Sequence, residues 1–510
     1  MSRSSPLDTK TGISIAQAET SRAMVRHWPS GIWALVGQIS TDLFLPILAG
    51  ALVALCFMAP PAGMLAWVAL IPFAAAIKRA KGTAELYLGA YLGGLLFHLH
   101  ALDLIRTRLG GCGVFESRTA EWLLHGCIAA SVWPATLYLG RGFAKQVRLP
   151  MAIVLPIVWI TGELMREELG WVVTWCPFPW LQLGATQASY SHVAQVADLG
   201  GVWAVVAVVA AVNGALFDAV AQRRLRPLGL GLVIFGAAWL YGDLRLRQTA
   251  TVPGPSVALV PVSISPTAVS QHSAQADILL WSETAYRAND DESTPLNASE
   301  LEACARSAGS TLIVGCLRKE ADLRFNSAVV IDPREGYSGC YDKCFLVPWT
   351  EFTPWSWRRG TNNDSNLTHG TARPVFHIGD FTCAVSICYD ACFARLYRSY
   401  SPKPDFFAAC SRESSDVTGY AARAILDMTR LRAIENRRAF VRNVEGGFSG
   451  VVSSTGEFTP APEQPWASPV GVGRIPIDRR NTLAGFAGNW LPYLCAGIVC
   501  LALILPRQRS

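Results

Sequence analysis

The sequence predicts a multi-span α-helical membrane domain joined to an α/β domain outside the membrane. The first observation is composition: of 510 residues, 51% are hydrophobic and only 16% charged, whereas soluble domains carry about a quarter charged residues. The second is a succession of apolar runs near the ~20-residue length that crosses a bilayer. The third is a change near Val252 to short β-rich runs mixed with a helical segment, which is typical of a layered α/β fold.

Composition also excludes several classes of protein. The apolar fraction is too high for a disordered chain. A net charge of +6 does not by itself mark a nucleic-acid-binding protein, and we expect no nucleic-acid partner. The 14 Cys residues fall below the density of a disulfide scaffold, and no Cys/His cluster has the spacing of a zinc site. We therefore expect neither a metal nor a cofactor.

Eight apolar runs are predicted to span the membrane. They cover residues 42–58, 62–78, 84–105, 121–139, 149–165, 196–219, 226–241 and 489–506. Lys and Arg collect in the N-terminal segment, in every second connection and in the C-terminal tail, as at Lys78, Arg141 and Arg223. The positive-inside rule then places both termini in the cytoplasm and the long segment after the seventh run on the other side.

The predicted organisation therefore has five parts. They are a cytoplasmic segment 1–41, a membrane domain of about seven helices 42–242, an external domain 243–488, a final transmembrane helix 489–506 and a cytoplasmic tail 507–510. Glu163 falls inside the fifth run. An ionisable group there is costly, and two interpretations stay open: it lines a substrate cavity, or it lies at the membrane interface near a helix end.

The external segment contains seven predicted strands and one predicted helix. The strands cover residues 256–263, 276–281, 311–317, 327–331, 382–388, 405–409 and 448–453. The helix covers residues 420–437, where Ile425, Met428, Leu431 and Ile434 recur every third residue and predict a buried stripe.

Three motifs at strand ends carry candidate chemistry. They are ILLWSETA with Glu283, YDKCFLVPWTEFTPW with Lys343, and CAVSICYD with Cys388. A thiol attacks a carbonyl as the thiolate and needs a base or a cationic neighbour. Glu283 is the candidate base, and Lys343 is the candidate group that stabilises the thiolate and the oxyanion formed on attack.

In this order, the three motifs resemble the nitrilase (carbon–nitrogen hydrolase) superfamily. The stretches PIVWITGELMRE, CPFPWLQLGATQ, DKCFLVPWTEFTPW and MTRLRAIENRRAFVRNVEGGFSGVV resemble the apolipoprotein N-acyltransferase family within it. The resemblance runs from about Leu45 to the end of the chain. It implies a nitrilase-like αββα sandwich at residues 243–488 and a Glu-Lys-Cys triad, with Glu283 as base, Lys343 as oxyanion stabiliser and Cys388 as nucleophile.

The resemblance implies further site residues. Supporting positions next to the lysine and the nucleophile are Glu351, Tyr389 and Asp390, the last standing where the family usually has Glu. The family's FPW loop, bordering the region of lipid access, corresponds to Phe178, Pro179 and Trp180.

The implied activity is transfer of a fatty acyl chain from a membrane phospholipid, through a cysteine thioester, to the N-terminal diacylglyceryl-cysteine amine of an apolipoprotein. The resemblance also implies a multi-pass protein of the bacterial inner membrane whose catalytic domain faces the periplasm. Two stretches depart from the family pattern: residues 409–419 read ACSRESSDVTG where the family reads like SNDAWFG, and the first strand, VALVPVSISP, lacks a Gln-Gly-Asn/Asp motif. Two alternatives therefore stay open: a membrane amidase or acyltransferase with another acceptor, and a non-catalytic envelope or conjugal-transfer protein.

Overall fold

A computed structural model describes residues 40–102, 118–174, 177–248, 251–264, 276–286, 298–348, 350–352, 366–413, 419–462 and 469–505. Its first half is a helical bundle, its second half is a β sandwich flanked by helices, and the last helix packs back onto the bundle. The predicted segment 1–41 and tail 507–510 lie almost entirely outside the described residues.

Sixteen α-helices occur in the described residues. They are α1 Thr41–Cys56, α2 Ala66–Ala69, α3 Ile71–Lys78, α4 Ala84–Ala101, α5 Arg118–Ala130, α6 Val132–Val147, α7 Met151–Leu169, α8 Ser191–Ala194, α9 Ala197–Gly200, α10 Val202–Gln222, α11 Arg226–Arg247, α12 Ala298–Ala308, α13 Ala394–Arg398, α14 Tyr420–Asn436, α15 Leu483–Ala487 and α16 Trp490–Ile504.

The bundle has the apolar character of a membrane domain. Among the described residues, four helical stretches are long and apolar enough to cross a membrane: Pro61–Lys78, Trp122–Val147, Val202–Gln222 and Arg226–Arg247. Helices α1 and α16 are shorter and also apolar. The helices α1 and α4 approach closely because Gly50 faces Gly93, where a Cβ on Gly50 would lie 2.1 Å from the Gly93 carbonyl oxygen. Small residues at such crossings are typical of packed membrane helices.

Each of the eight predicted apolar runs overlaps at least one helix, although several bounds differ. The run 121–139 is divided between α5 and α6 at Ser131, and α11 continues to Arg247, past the predicted end at residue 241. Helix α10 begins only at Val202, because Gly201 has a φ of +69° and separates it from α9. Such a backbone conformation suits glycine.

Twelve strands form two six-stranded sheets in the described part of the second half. The strands are β1 Val252–Val260, β2 Ile278–Trp281, β3 Thr311–Glu320, β4 Leu323–Asp332, β5 Gly336–Asp342, β6 Phe376–Ile378, β7 Phe381–Ile387, β8 Phe406–Arg412, β9 Ala439–Glu445, β10 Gly450–Val452, β11 Phe458–Pro460 and β12 Val470–Ile477. One sheet has the order β12-β1-β2-β3-β4-β5 and the other β11-β10-β9-β8-β7-β6.

The two sheets pack face to face over an apolar core to which Ile313, Val385 and Phe440 belong. Helix α12 packs on the outer side of β3, β4 and β5, and α14 packs on β9 and β10. The layers are thus helix, sheet, sheet and helix, which confirms the predicted αββα sandwich. The predicted helix 420–437 corresponds to α14, and its Met428, Leu431 and Ile434 are buried.

Buried polar contacts join the sandwich to the bundle. The guanidinium of Arg437, at the end of α14, is fully buried and donates to Asp198 Oδ2 at 2.6 Å and to Gln195 Oε1 at 2.7 Å. Nearby, Glu435 Oε1 accepts a hydrogen bond from the backbone N–H of Val202 at 3.0 Å. These contacts hold the C-terminal end of α14 against the first turns of α9 and α10.

Candidate active site

The candidate residues Glu283, Lys343 and Cys388 meet because each follows a strand at the same edge of the sandwich. Glu283 follows β2, Lys343 follows β5 and Cys388 follows β7. Strand β2 is parallel to β3, and β5 runs in the direction of β3 because both are antiparallel to β4. The carboxyl ends of such strands lie at one edge of a sheet, which is where open α/β sheets gather their ligand-binding groups.

Lys343 is held between two carboxylates. Its Nζ lies 3.0 Å from Glu283 Oε1 and 2.9 Å from Glu351 Oε1, and its side chain is 1% exposed. The amide Nδ2 of Asn326 donates to the same two oxygens, at 2.7 Å to Glu283 and 2.9 Å to Glu351. Burial would lower the pKa of Lys343, but the charges of Glu283 and Glu351 outweigh it and raise this pKa well above its ordinary value. The amine is therefore a fixed positive charge.

Cys388 begins a sharp turn directly after β7. Its φ of +47° is in the left-handed region, which a side chain other than glycine rarely adopts. Strained backbone of this kind often presents a nucleophile at a strand-to-helix turn. The Sγ atom lies 4.0 Å from the carbonyl oxygen of Arg412, whose own N–H donates to Glu283 Oε2 at 2.9 Å. The thiol and the carboxylate thus meet across one residue of backbone.

The surroundings of Cys388 favour its protonated thiol. Burial, followed by the negative charge of Glu283, raises its pKa well above the ordinary value, and the charge of Lys343 opposes that shift only in part. A carboxylate close to a neutral thiol, with a fixed ammonium beside both, is suited to proton removal at the moment of attack.

Asp390 fastens the turn of Cys388 to the loop of Lys343. Its carboxylate is fully buried and accepts hydrogen bonds from the hydroxyl of Tyr341 at 2.8 Å and from the backbone N–H groups of Phe345 and Ile387 at 2.9 and 3.0 Å. Its two oxygens are satisfied on both sides of the gap between the two sheets. The shorter acid thus has a complete set of partners where it stands.

A second buried ion pair borders the thiol and was not predicted from the sequence. Glu413 Oε1 lies 2.7 Å from an Nη atom of Arg442, both side chains are 1% exposed, and Ser411 Oγ donates to Glu413 at 2.8 Å. Burial raises the pKa of Glu413, and the charge of Arg442 opposes that rise. Glu413 lies in the stretch 409–419 that departs from the family pattern, of which residues 414–418 lie outside the described residues. A signal was present, because Arg442 is a charged residue inside an apolar run.

Asn326 is a further residue that sequence reasoning missed. It lies inside β4 and is 2% exposed, so its polar side chain points into the gap between the two carboxylates rather than to solvent. Residue type alone carries no such signal, since an Asn in a strand is usually solvated.

The FPW loop brings the helical bundle to the turn of Cys388. The ring of Trp180 packs edge-on against the ring of Tyr389, with 5.8 Å between centroids. The loop is held from below by α7: Glu163 Oε1 accepts from the backbone N–H of Leu183 at 2.8 Å, and Arg166 donates to the carbonyl of Phe178 at 2.9 Å. Phe178 itself has a φ of +48°. Pro179 lies in the short helical turn after it.

Glu163 is buried inside the helical bundle. It is 6% exposed, with no place at the surface, and lines a small cavity between α1, α6 and α7 together with Trp133, Thr136 and Arg166. The nine predicted site residues thus form one continuous region, from the FPW loop through Tyr389 to the lysine and its carboxylates. Within the described part of the chain, no group of three or more His, Cys, Asp or Glu is arranged to hold a metal ion.

Comparisons with known proteins cover both halves. A family model for the apolipoprotein N-acyltransferase N-terminal domain matches residues 49–215, and one for carbon-nitrogen hydrolase matches residues 229–482. The apolipoprotein N-acyltransferase of Geobacter metallireducens is 26% identical over 522 residues, covering 92% of this chain and 96% of that protein. That of Chlorobaculum tepidum is 24% identical over 549 residues, covering 92% and 98%.

Among solved structures, an amidase from Nesterenkonia sp. aligns with 48% of this chain and 99% of its own, at 20% identity and a TM-score of 0.35. The two family matches and the full-length relatives together account for both the bundle and the sandwich. The chain belongs to the apolipoprotein N-acyltransferase family within the carbon–nitrogen hydrolase superfamily.

Proposed function

We propose that this protein N-acylates apolipoproteins, with a membrane phospholipid as acyl donor and Cys388 as the acyl carrier. The observation that carries the proposal is the meeting of a thiol, a carboxylate and a buried ammonium beside a loop of the helical bundle. Both substrates are anchored in a bilayer, so a site at the bundle surface meets them without a search through water. Family membership of both halves supports the same activity.

In the first half-reaction, the Cys388 sulfur attacks an ester carbonyl carbon of the phospholipid while its proton passes to Glu283. Lys343 stabilises the oxyanion that forms. The intermediate collapses as the bond to the glycerol oxygen breaks, and that oxygen takes the proton from Glu283. A lysophospholipid leaves, and the acyl group remains on sulfur as a thioester.

In the second half-reaction, the free α-amine of the diacylglyceryl-cysteine attacks the thioester carbonyl. Glu283 accepts a proton from the amine, the carbon–sulfur bond breaks, and the thiol is restored when that proton returns to sulfur. An amide bond forms, and no metal or cofactor is required for the balance. Asn326 and Glu351 act as positioning residues, since they hold the lysine and the base in one arrangement.

The cellular arrangement belongs to the proposal. We infer a membrane domain at residues 42–242, a periplasmic catalytic domain at 243–488 and a final span at 489–506 in the bacterial inner membrane. The distribution of Lys and Arg between alternate connections supports this orientation. A green fluorescent protein fused after Ser510 is expected to fluoresce, while alkaline phosphatase fused there stays inactive; the reverse result contradicts the orientation.

The acyl carrier is tested by intact-protein mass spectrometry of purified protein incubated with phosphatidylethanolamine in mixed micelles. We expect one acyl adduct on the wild type and on Cys340→Ala, and none on Cys388→Ala. Cys340 is the matched control because it is a half-buried thiol on β5 of the same sandwich. An adduct on Cys388→Ala contradicts the assignment, and its absence from the wild type favours the non-catalytic alternative.

The acceptor is tested by adding a diacylglyceryl-cysteine peptide to the acylated protein. Loss of the adduct with formation of an N-acyl peptide is the expected result. A protein that forms the thioester but leaves this peptide unmodified would instead be a membrane acyltransferase or amidase with another acceptor.

A further inference from the structure

A recess lined by arginines lies next to the candidate active site. It is bounded by Pro179 of the FPW loop, by Cys392 and Phe393 at the end of the nucleophile turn, and by Asn489 before α16. Three guanidinium groups line it, from Arg395 and Arg398 on α13 and from Arg432 on α14.

The recess carries more positive than negative charge, because three arginines line it against two carboxylates. Of the two carboxylates, Glu435 pairs with Arg432 at 2.6 Å, and Glu167 accepts from Gln182 at 3.3 Å. Among the described residues, neither Arg395 nor Arg398 forms an ion pair with a carboxylate. Arg398 donates only to the neutral side chain of Asn489, at 3.1 Å.

Arg432 supplies a second, independent observation. Its side chain is 2% exposed, and within the described chain its Nε has no hydrogen-bond partner. A buried guanidinium N–H without an acceptor is costly.

The recess lies at the end of the bundle where α7 ends and α16 begins. Helix α7 ends at Leu169 and α16 begins at Trp490, and their two ends are joined by a hydrogen bond from Tyr493 to Glu168 at 3.0 Å. Apolar side chains around this level point outward, with Phe486 being 91% exposed. Trp and Tyr at the ends of membrane helices mark the depth of lipid headgroups.

Arg395 stacks on two aromatic rings at this level. Its guanidinium lies 4.2 Å from the ring centre of Trp171 and 4.6 Å from that of Phe345. Such stacking orients the planar donors of an arginine while leaving them free to bind an acceptor. Guanidinium groups are suited to phosphate, to which they donate two parallel hydrogen bonds.

We propose that this arginine recess binds the phosphodiester of the donor phospholipid's headgroup, which holds the ester to be attacked next to Cys388. The inference rests on the proposed function, since it names a subsite for its donor. A headgroup between Arg395 and Arg398 would lie beside the Cys392–Phe393 end of the nucleophile turn, and the acyl chains would run along the outward-facing apolar surface into the bilayer.

The test measures lipid binding by native mass spectrometry on the full chain carrying Cys388→Ala, so that no turnover occurs. Phosphatidylglycerol is compared with a diacylglycerol of the same acyl chains, which lacks the phosphate. We expect Arg395→Gln/Arg398→Gln to weaken phosphatidylglycerol binding by at least about tenfold, the equivalent of one lost charge-assisted hydrogen bond, with diacylglycerol binding unchanged.

Two further variants keep the test decisive. Arg395→Lys/Arg398→Lys retains both charges and should recover most of the binding, which a folding defect would not do. Arg306→Gln/Arg474→Gln removes the same charge from two exposed arginines of the sandwich and should bind as the parent does.

Three results would overturn the proposal. They are equal loss of phosphatidylglycerol and diacylglycerol, no loss of either, and stable adducts of inorganic phosphate without lipid, which would assign the recess to free phosphate. Because binding is measured on the inert variant, the outcome is separate from that of the proposed function. If the inert variant binds lipid through these arginines but the wild type never forms a thioester, the activity is refuted and the subsite stands.

Discussion

Trp180 of the helical bundle packs edge-on against Tyr389, the residue that follows the candidate nucleophile. The loop that carries Trp180 is held by Glu163, whose Oε1 also accepts from the indole N–H of Trp159 at 2.9 Å. A carboxylate within α7 therefore positions an aromatic ring at the turn of the candidate nucleophile.

The first prediction concerns this carboxylate. Glu163→Leu leaves the buried N–H of Leu183 without an acceptor, at a cost of about 1–3 kcal/mol, and releases the loop from α7. We expect the rate of acyl-enzyme formation to fall about tenfold or more while the micelle-bound protein remains folded by circular dichroism. The rate is measured by quenching the reaction at successive times and detecting the thioester by mass spectrometry.

The matched control is Glu163→Gln. The amide keeps the oxygen that accepts from Leu183 and Trp159, and its NH2 group replaces Oε2, which has no partner among the described residues. This variant should retain most of the activity. Equal loss in both variants would mean that the charge of Glu163, and not its hydrogen bonds, matters.

The second prediction concerns the pH dependence of Cys388. Because burial and the charge of Glu283 raise the pKa of this thiol well above its ordinary value, the thiolate is scarce at neutral pH, and alkylation of Cys388 by iodoacetamide should still be rising at pH 9. Glu283→Gln removes the negative charge, which lowers the pKa, and each unit multiplies the thiolate fraction about tenfold. Alkylation at pH 8 should therefore become faster while acyl transfer is lost.

Faster alkylation together with loss of acyl transfer is the result expected if Glu283 acts as the base. Peptide mapping of the alkylated residue gives the rate, and Cys388→Ala gives the background from the other thiols. If alkylation and transfer both fell in Glu283→Gln, Glu283 would act by supporting the fold of the site and not as a base.

The third prediction concerns the short acid after Tyr389. Asp390 is fully buried and already accepts from three donors, in β5, in β7 and in the loop after β5. The additional methylene of Asp390→Glu must displace one of these segments, at a cost of about 1–3 kcal/mol. We expect a lower melting temperature and a lower kcat with little change in KM, although Glu is the family's usual residue. Activity at or above that of the wild type would contradict the geometry.

The same carboxyl group predicts a pH effect on stability. Burial raises the pKa of Asp390 from 3.8 to about 6. A group whose pKa is higher in the folded protein contributes stability that is complete below pH 3.8 and declines as the pH rises through 6. Urea unfolding of the wild type and of Asp390→Asn at pH 4 and pH 7 should therefore show a larger decrease with pH in the wild type.

The fourth prediction concerns the buried pair of Glu413 and Arg442. Removing one partner leaves an uncompensated charge, so Arg442→Met should destabilise the protein by about 3–5 kcal/mol. Replacing both by methionine should recover much of that loss. Thermal unfolding of the two single variants and the double variant measures the coupling; strictly additive losses would contradict a buried pair.

The layers of the fold could be predicted from the sequence because runs of hydrophobic residues mark the buried elements. Runs such as ILLW and TLIVGC are apolar, buried in the sandwich, and easily recognised as strands. Strand β9 was missed because its sequence AFVRNVE carries the paired Arg442 and Asn443, and β12 was missed because VGVGRIPI contains two glycines and a proline. A charged residue inside a short apolar run suggests that its side chain faces solvent. Here that conclusion is wrong, because Arg442 is buried in an ion pair with Glu413, which lies elsewhere in the sequence.

Contacts between residues distant in sequence also limited what could be predicted of the candidate site. Glu283, Lys343 and Cys388 were identified because their motifs resemble a known family and each stands at a strand end. Asn326 and Glu413 belong to the site only through side chains that approach from other strands. Such convergence depends on sheet order, which residue patterns along one chain do not contain.

The buried ion pair between Arg437 and Asp198 makes the sandwich depend on the helical bundle. This wholly enclosed pair has its cation on the hydrolase-like portion and its anion on the helical portion. A soluble fragment made by cutting the chain after α11 would keep the guanidinium of Arg437. It would lose the carboxylate of Asp198 and the side-chain oxygen of Gln195, which both accept hydrogen bonds from it. The sandwich here therefore depends on the helical portion for the counter-charge of one of its own buried arginines.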